Sequence, residues 1–345
     1  MAVMLAEQRA MGIGPLEFEF MLWEHKYRPI TGEVLTIGKP AVALSSQGLA
    51  DVLAFCGVPQ ISSDLELDTT NSHLPKNLAC VTDRALFRSF SNCKVSAVDI
   101  SDYEGAEIVL DLCSDVPADL HNRFDFIIDA GSLDNIFDPI RALMSMTRML
   151  KPGGRMYIFA WGNSHPTAYL KFSPDWFTDY FAVNEFEDCQ TYVALYPSGT
   201  TSPKGWEETF ASLAGNHDMG VWRYNAYVHG GGGRGYECSS IDSERPFQNF
   251  LIAEKGAKST ADRTAVQKHY RGSNTEPYLT SAERFAKSRR PKFRSPRSET
   301  NIENKSLGTF GTMSEVAHWT VSQPASIVSQ PPSMAQKLRH LIFKT

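Results

Sequence analysis

Asp99, Asp111 and Asp129 each close a short apolar run: Lys94-Val-Ser-Ala-Val-Asp99, Ala106-Glu-Ile-Val-Leu-Asp111 and Phe124-Asp-Phe-Ile-Ile-Asp129. Such runs read as buried strands, so each strand delivers an acid at its carboxyl end. In open α/β sheets that edge is where ligands bind. A carboxylate there can accept two hydrogen bonds from a ribose diol, or one from an adenine amino group. This chemistry points to Asp99 and Asp111 as nucleoside contacts. A single strand-end Asp more often caps a loop. Three in consecutive strands favour a site.

The surrounding chain supplies the elements such a site needs. Glu33-Val-Leu-Thr-Ile-Gly38 reads as a first strand, and Ser46 to Phe55 as a helix that Ser45 or Ser46 can cap. Residues 59–78 carry Pro59 and Pro75 and read as a loop. Asp83 to Phe90 reads as a helix. Another runs from Asp138 to Leu150 with Pro139 at its start, and Lys151-Pro-Gly-Gly154 ends it before a fifth strand, Arg155 to Phe159. Phe172 to Phe181 reads as a helix with Ser173 as cap, and Thr191–Leu195 and Asn249–Ala253 as further strands. Strands alternating with helices argue for a parallel sheet covered on both faces.

Residues 94–159 resemble the core of the class I S-adenosylmethionine-dependent methyltransferases. The resemblance rests on Val98-Asp99-Ile-Ser101, Ile108-Val-Leu-Asp111, Phe124 to Leu133 with Phe137-Asp-Pro139, and Arg148-Met-Leu-Lys-Pro-Gly-Gly154. The short step from Asp99 to Asp111 is similar to the small-molecule subgroup. The resemblance implies a Rossmann-like doubly wound α/β sheet, mostly parallel, of seven strands with the last antiparallel. It also implies S-adenosylmethionine as cofactor. Asp99 would hold the ribose hydroxyls with Ile100 beside it, Asp111 and Leu112 would flank the adenine, and Asp129, Ala130 and Gly131 would line the methionine end. The implied activity is methyl transfer to an oxygen or nitrogen of a small molecule or glycan.

The first motif departs from the family pattern. Thr36 stands where an acid is expected, and of the glycine loop only Gly38 survives, followed by Lys39 and Pro40. Pro40 has no N–H to offer a ligand. Lys39 is the candidate to meet the cofactor's carboxylate instead. The alternative is a catalytically decayed, methyltransferase-like binding or scaffold protein. A nicotinamide or nucleotide-sugar oxidoreductase is disfavoured by the weak glycine motif and the absence of a Tyr-x-x-x-Lys pair. No Asp-Pro-Pro-Tyr, Asn-Pro-Pro-Tyr or Pro-Cys motif is present, which disfavours methylation of nucleic-acid bases. The catalytic base is unassigned, with Asp129, His165 and Tyr169 as candidates near the sheet edge. Gly230, Gly232 and Gly235 satisfy a dinucleotide-loop spacing but are not followed by a helical pattern, so a flexible loop is expected.

Composition sets the outer limits. The 345 residues are 42% hydrophobic and 21% charged, which excludes a wholly disordered chain. The net charge of −5 divides unevenly: residues 256–345 hold 15 Lys+Arg against 6 Asp+Glu. This separates a 1–29 lead-in, a 30–256 methyltransferase-like domain with an irregular insert at 196–248, and a basic, largely disordered tail at 257–345. Trp206, Trp222 and Tyr224 of the insert could either lid an acceptor pocket or pack on the sheet edge. Within the tail, Arg284 to Arg297 is free of acids and interleaved with Phe285 and Phe293. Such a run can hold an anionic partner or stay solvated. Met334, Leu338, Leu341 and Ile342 share one helical face. Six cysteines without a C-x-x-C pair, and nine histidines without ligand spacing, point to reduced thiols and no metal site. No apolar run is long enough to span a membrane, and Met1 to Ala10 lacks the order of an export signal, so a cytoplasmic protein is expected.

Overall fold

The chain begins with β1 (Gly12–Ile13), α1 (Pro15–Tyr27), β2 (Glu33–Ile37), β3 (Ala41–Val42), α2 (Ser46–Cys56) and α3 (Asp83–Phe90). There follow β4 (Lys94–Asp99), β5 (Ile108–Val109), β6 (Phe124–Ala130), α4 (Pro139–Met149), β7 (Leu150–Trp161), α5 (Pro174–Val183) and β8 (Asp188–Leu195). Last come β9 (Asp218–Tyr224), β10 (Phe247–Glu254), α6 (Tyr278–Ala286) and β11 (Met313–Thr320). These assignments come from a computed structural model, which describes residues 12–69, 74, 79–163, 168–195, 218–224, 246–266, 278–293 and 313–320.

Local chemistry explains the helix ends. The Ser45 hydroxyl accepts from Gly48 N–H, Thr82 from Ala85 N–H, and the Asp138 carboxylate from Arg141 N–H, each satisfying an amide the first turn leaves open. Ser173 holds the cap position of α5 without a side-chain bond, so there the start rests on Pro174.

Among the described residues, a nine-stranded sheet runs in the order β11-β9-β8-β10-β7-β6-β2-β4-β5. From β2 the chain moves outward through β4 to β5, then returns to β6 on the other side of β2 and continues to β7, all in parallel. The carboxyl ends of β2 and β6 therefore flank a topological switch point. β10 lies antiparallel between β7 and β8. The seven expected strands are present with the last antiparallel, and β9 and β11 extend the sheet beyond β8.

Alternation along the strands divides the core in two. Val34, Phe126, Ile128, Tyr157 and Phe159 face α1, α2 and α3. Leu35, Ile127, Met156 and Ile158 face α4 and α5. That two-sided burial is what continuous apolar strands require.

Four expectations need correction. The third strand pairs only at Ile108 and Val109, because it is the sheet's edge and Val109 is exposed. Lys151 to Gly154 lie within β7, with a register shift between Phe124 and Phe126 on β6 absorbing the glycine turn. The insert contains β9, which carries Trp222 and Tyr224; Trp206, the glycine-rich run and Met334–Ile342 lie outside the described residues. The tail is not simply solvated. Tyr278 and Phe285 of α6 join the α5 face, and Ser281 Oγ donates to Ala182 O at 2.8 Å. The chain then passes the sheet's amino edge, and Phe293 enters the opposite face beside Phe20 and Tyr192. Within the acid-free run that could hold an anionic partner or stay solvated, Arg290 is instead buried and paired with Glu24, Asp188 and Glu254.

Candidate functional site

Gly38 follows β2 at the switch point with φ +67°, a left-handed conformation that suits glycine. Its N–H donates to Val98 O at 2.8 Å. A Cβ at this position would lie 2.8 Å from Ser132 Oγ, which itself donates to Ile37 O at 2.7 Å. The close approach of the β2 and β6 ends thus excludes a side chain at residue 38.

Asp99 ends β4 with Oδ1 accepting from Ile100 N–H at 2.6 Å. Asp111 turns the chain after β5, accepting from Cys113 N–H at 2.8 Å and Ser114 Oγ at 3.4 Å. Leu110 N–H donates to Asp99 O, and Ser145 Oγ of α4 donates to Leu112 O at 2.7 Å, so both acidic loops are tied to the scaffold. Gly38, Lys39, Asp99, Ile100, Asp111, Leu112, Ala130 and Gly131 all line one cleft of about 720 Å³. Ile100 is 72% exposed on its rim.

Asp129 is the exception among the expected contacts. It is fully buried and does not line the cleft. Its carboxylate turns inward to accept from Ser132 N–H at 2.7 Å and Leu133 N–H at 3.3 Å. Burial pushes its pKa up to about 7 against those bonds. These bonds tie the carboxylate to the loop from Gly131 to Asn135. Tyr169 is exposed beyond β7, and His165 lies outside the described residues.

Ser132, Asn135 and Phe137, to which sequence reasoning gave no place in the site, line the same cleft, and Asp134 lies behind it. Asp134 Oδ2 accepts from Trp161 N–H at 3.0 Å, and its other oxygen is buried with no hydrogen-bond partner among the described residues. Burial pushes its pKa up to about 8, with the Asp129 charge adding to the effect. The signal available in the sequence was an acid directly after Leu133, in the short stretch between the fourth strand and the Asp138 helix start.

Thr36, in the place of an acid, has its hydroxyl buried with no hydrogen-bond partner among the described residues. No group of three or more His, Cys, Asp or Glu among those residues is placed to hold a metal ion. No helix among them is long and apolar enough to cross a membrane.

No family model matches the chain, and no curated protein matches it in sequence. Among solved structures, it is similar to phosphoethanolamine N-methyltransferase 2 of Haemonchus contortus in complex with S-adenosyl-L-methionine. The identity is 15%, covering 69% of this chain and 52% of that one, with a TM-score of 0.32. It is similar also to the YcgJ protein of Bacillus subtilis, at 12% identity over 70% of this chain and 99% of that one, TM-score 0.34. A third is a putative S-adenosyl-L-methionine-dependent methyltransferase of Methanococcus maripaludis, at 19% identity over 41% and 54%, TM-score 0.22. The chain spans about half the length of the first of these. Likeness at this level leaves the functional reading to the chain's own residues.

Proposed function

We propose that this protein is an S-adenosylmethionine-dependent methyltransferase acting on an oxygen or nitrogen of a small molecule or glycan. The observation that supports this most is that Asp99 and Asp111 open onto one cleft at the switch point of the sheet. Its volume of about 720 Å³ lies in the range of small-molecule sites.

The residues present fit the cofactor. Asp99 would accept from the ribose hydroxyls, and Asp111 from the adenine amino group, with Ile100 and Leu112 offering apolar faces to the ring. Gly38, Ala130 and Gly131 would line the methionine arm, with glycine required at 38 because a Cβ there would meet Ser132 Oγ. Lys39 would bring a cation towards the carboxylate in place of the missing amide donors. When bound, the cofactor supplies an electrophilic methyl group on sulfur. The chain's part is to hold cofactor and acceptor in line and to exclude water. Asp129, with its carboxylate spent on the backbone of its own loop, is not a base for the acceptor.

A methyltransferase-like binding protein is the second reading. Thr36 in place of the acid, and Pro40 lining the cleft without an N–H, both favour it. Isothermal titration with S-adenosylmethionine and S-adenosylhomocysteine tests the cofactor site common to both readings, with saturable binding of both expected. Absence of heat with either would remove the cofactor site. Binding of both with no methyl transfer across a broad panel of acceptors would leave the second reading.

A further inference from the structure

Two aromatic side chains at the mouth of the cleft have no role in holding the cofactor as described. Phe137, just past the Leu133–Asn135 turn, is 83% exposed, and Tyr169, beyond β7, is 61% exposed. Their rings nevertheless stack, with centroids 6.2 Å apart and planes 28° from parallel. They come from separate loops, β6 to α4 and β7 to α5, so neighbouring sequence does not bring them together.

Asp134 does. Its carboxylate accepts from Trp161 N–H at the end of β7, and its carbonyl accepts from Leu170 N–H, next to Tyr169. On the other side, the Asn135 amide donates to Gly131 O at 3.3 Å, and Asp138 caps α4 immediately after Phe137. Each ring therefore hangs from an anchored backbone. Phe137 lines the cleft, and Tyr169 continues the aromatic surface outward from it. Large apolar rings held in solvent mark a recognition surface. The faces of a stacked pair are best complemented by another flat ring, and the Tyr169 hydroxyl leaves a polar handle at the edge.

We infer that Phe137 and Tyr169 form the platform that recognises the methyl acceptor, and that this acceptor is a planar aromatic molecule. The inference rests on the methyltransferase reading and narrows its substrate class. Asp134 is a positioning residue for the platform.

The test titrates the full chain with 2-naphthol and with its saturated counterpart, decahydro-2-naphthol, by saturation-transfer NMR. S-adenosylhomocysteine binding is measured in parallel. Naphthol is expected to bind about tenfold more tightly than the saturated alcohol. Tyr169→Ala should weaken naphthol about tenfold. Tyr169→Phe should restore it, and both variants should bind S-adenosylhomocysteine as the parent does. Equal binding of the two alcohols, or unchanged naphthol binding in Tyr169→Ala, overturns the inference. If naphthol depends on Tyr169 while no form binds S-adenosylhomocysteine, the aromatic site stands and the methyltransferase reading falls.

Discussion

At the amino edge of the sheet, Arg155 and Arg290 lie among Glu24, Asp188 and Glu254, shielded from solvent. Arg155 also donates to Arg28 O at 2.6 Å and Pro29 O at 2.8 Å. At the carboxyl edge, Asp99 and Asp111 face a cleft, and the bonds they accept come from neighbouring amides and one hydroxyl. The two edges use the same side-chain types to opposite ends. Charges taken out of water need opposite charges and hydrogen bonds around them, and these fasten α1, β7, β8, β10 and the tail together. Carboxylates left at a cleft keep lone pairs for a ligand. The amino edge holds the fold together, and the carboxyl edge is left available for chemistry.

The sharpest way to break this contrast is at Arg290. Arg290→Ala strands Glu24 and Asp188 without one of their cations, and a loss of about 3–5 kcal/mol in unfolding free energy is predicted. Chemical denaturation reads the loss, while S-adenosylhomocysteine affinity of the folded fraction should be unchanged. A loss below about 1 kcal/mol, the range of an exposed pair, would show that the cluster is not the fastening described.

A second prediction concerns the buried carboxyls behind the cleft. Asp129 and Asp134 are raised from 3.8 to about 7 and about 8, chiefly by burial. The folded protein then holds protons that the unfolded chain has released, so stability falls as pH rises from about 4 through about 8. Each group contributes a slope of up to about 1.4 kcal/mol per pH unit. Asp134→Asn should flatten the decline between pH 5 and 8 in denaturation midpoints. An unaltered slope would mean that these carboxyls do not titrate in that window.

The smallest effect on folding and the most specific effect on binding should come from Asp99→Ala. S-adenosylhomocysteine is predicted to bind roughly 10- to 100-fold more weakly, the usual worth of hydrogen bonds to a charged group. Stability should move by no more than about 0.5 kcal/mol, since Asp99 is not sealed in the core. If Asp99→Ala instead destabilised the fold as Arg290→Ala does, the two edges would not differ in kind.

Much of the fold was legible because its signals are local. Apolar runs marked β2, β4, β6 and β10, and Ser45, Asp138 and Pro174 marked helix starts within a residue or two. The cleft was legible through Asp99, Asp111 and Gly38 for the same reason, as each sits at a strand end. Asp129 shares that position but points inward, because the Ser132–Asn135 turn presents amides that capture its carboxylate. Nothing in strand periodicity reports the direction a following turn will impose.

Residues 284–293 show the same limit more plainly. By composition they are a basic, weakly apolar stretch, and composition argued for solvation. Yet Arg284 donates to Phe186 O, Arg290 meets acids from α1, β8 and β10, and Phe293 packs among rings from α1 and β8. The chain alone determined that strands would alternate with helices and that carboxylates would gather along one rim, since those follow from near-neighbour patterns. Which charges would be matched across more than 250 residues, and which two rings would meet at the cleft mouth, was decided only in three dimensions. Pairing energies between distant groups depend on a geometry that exists only once the sheet has closed around them.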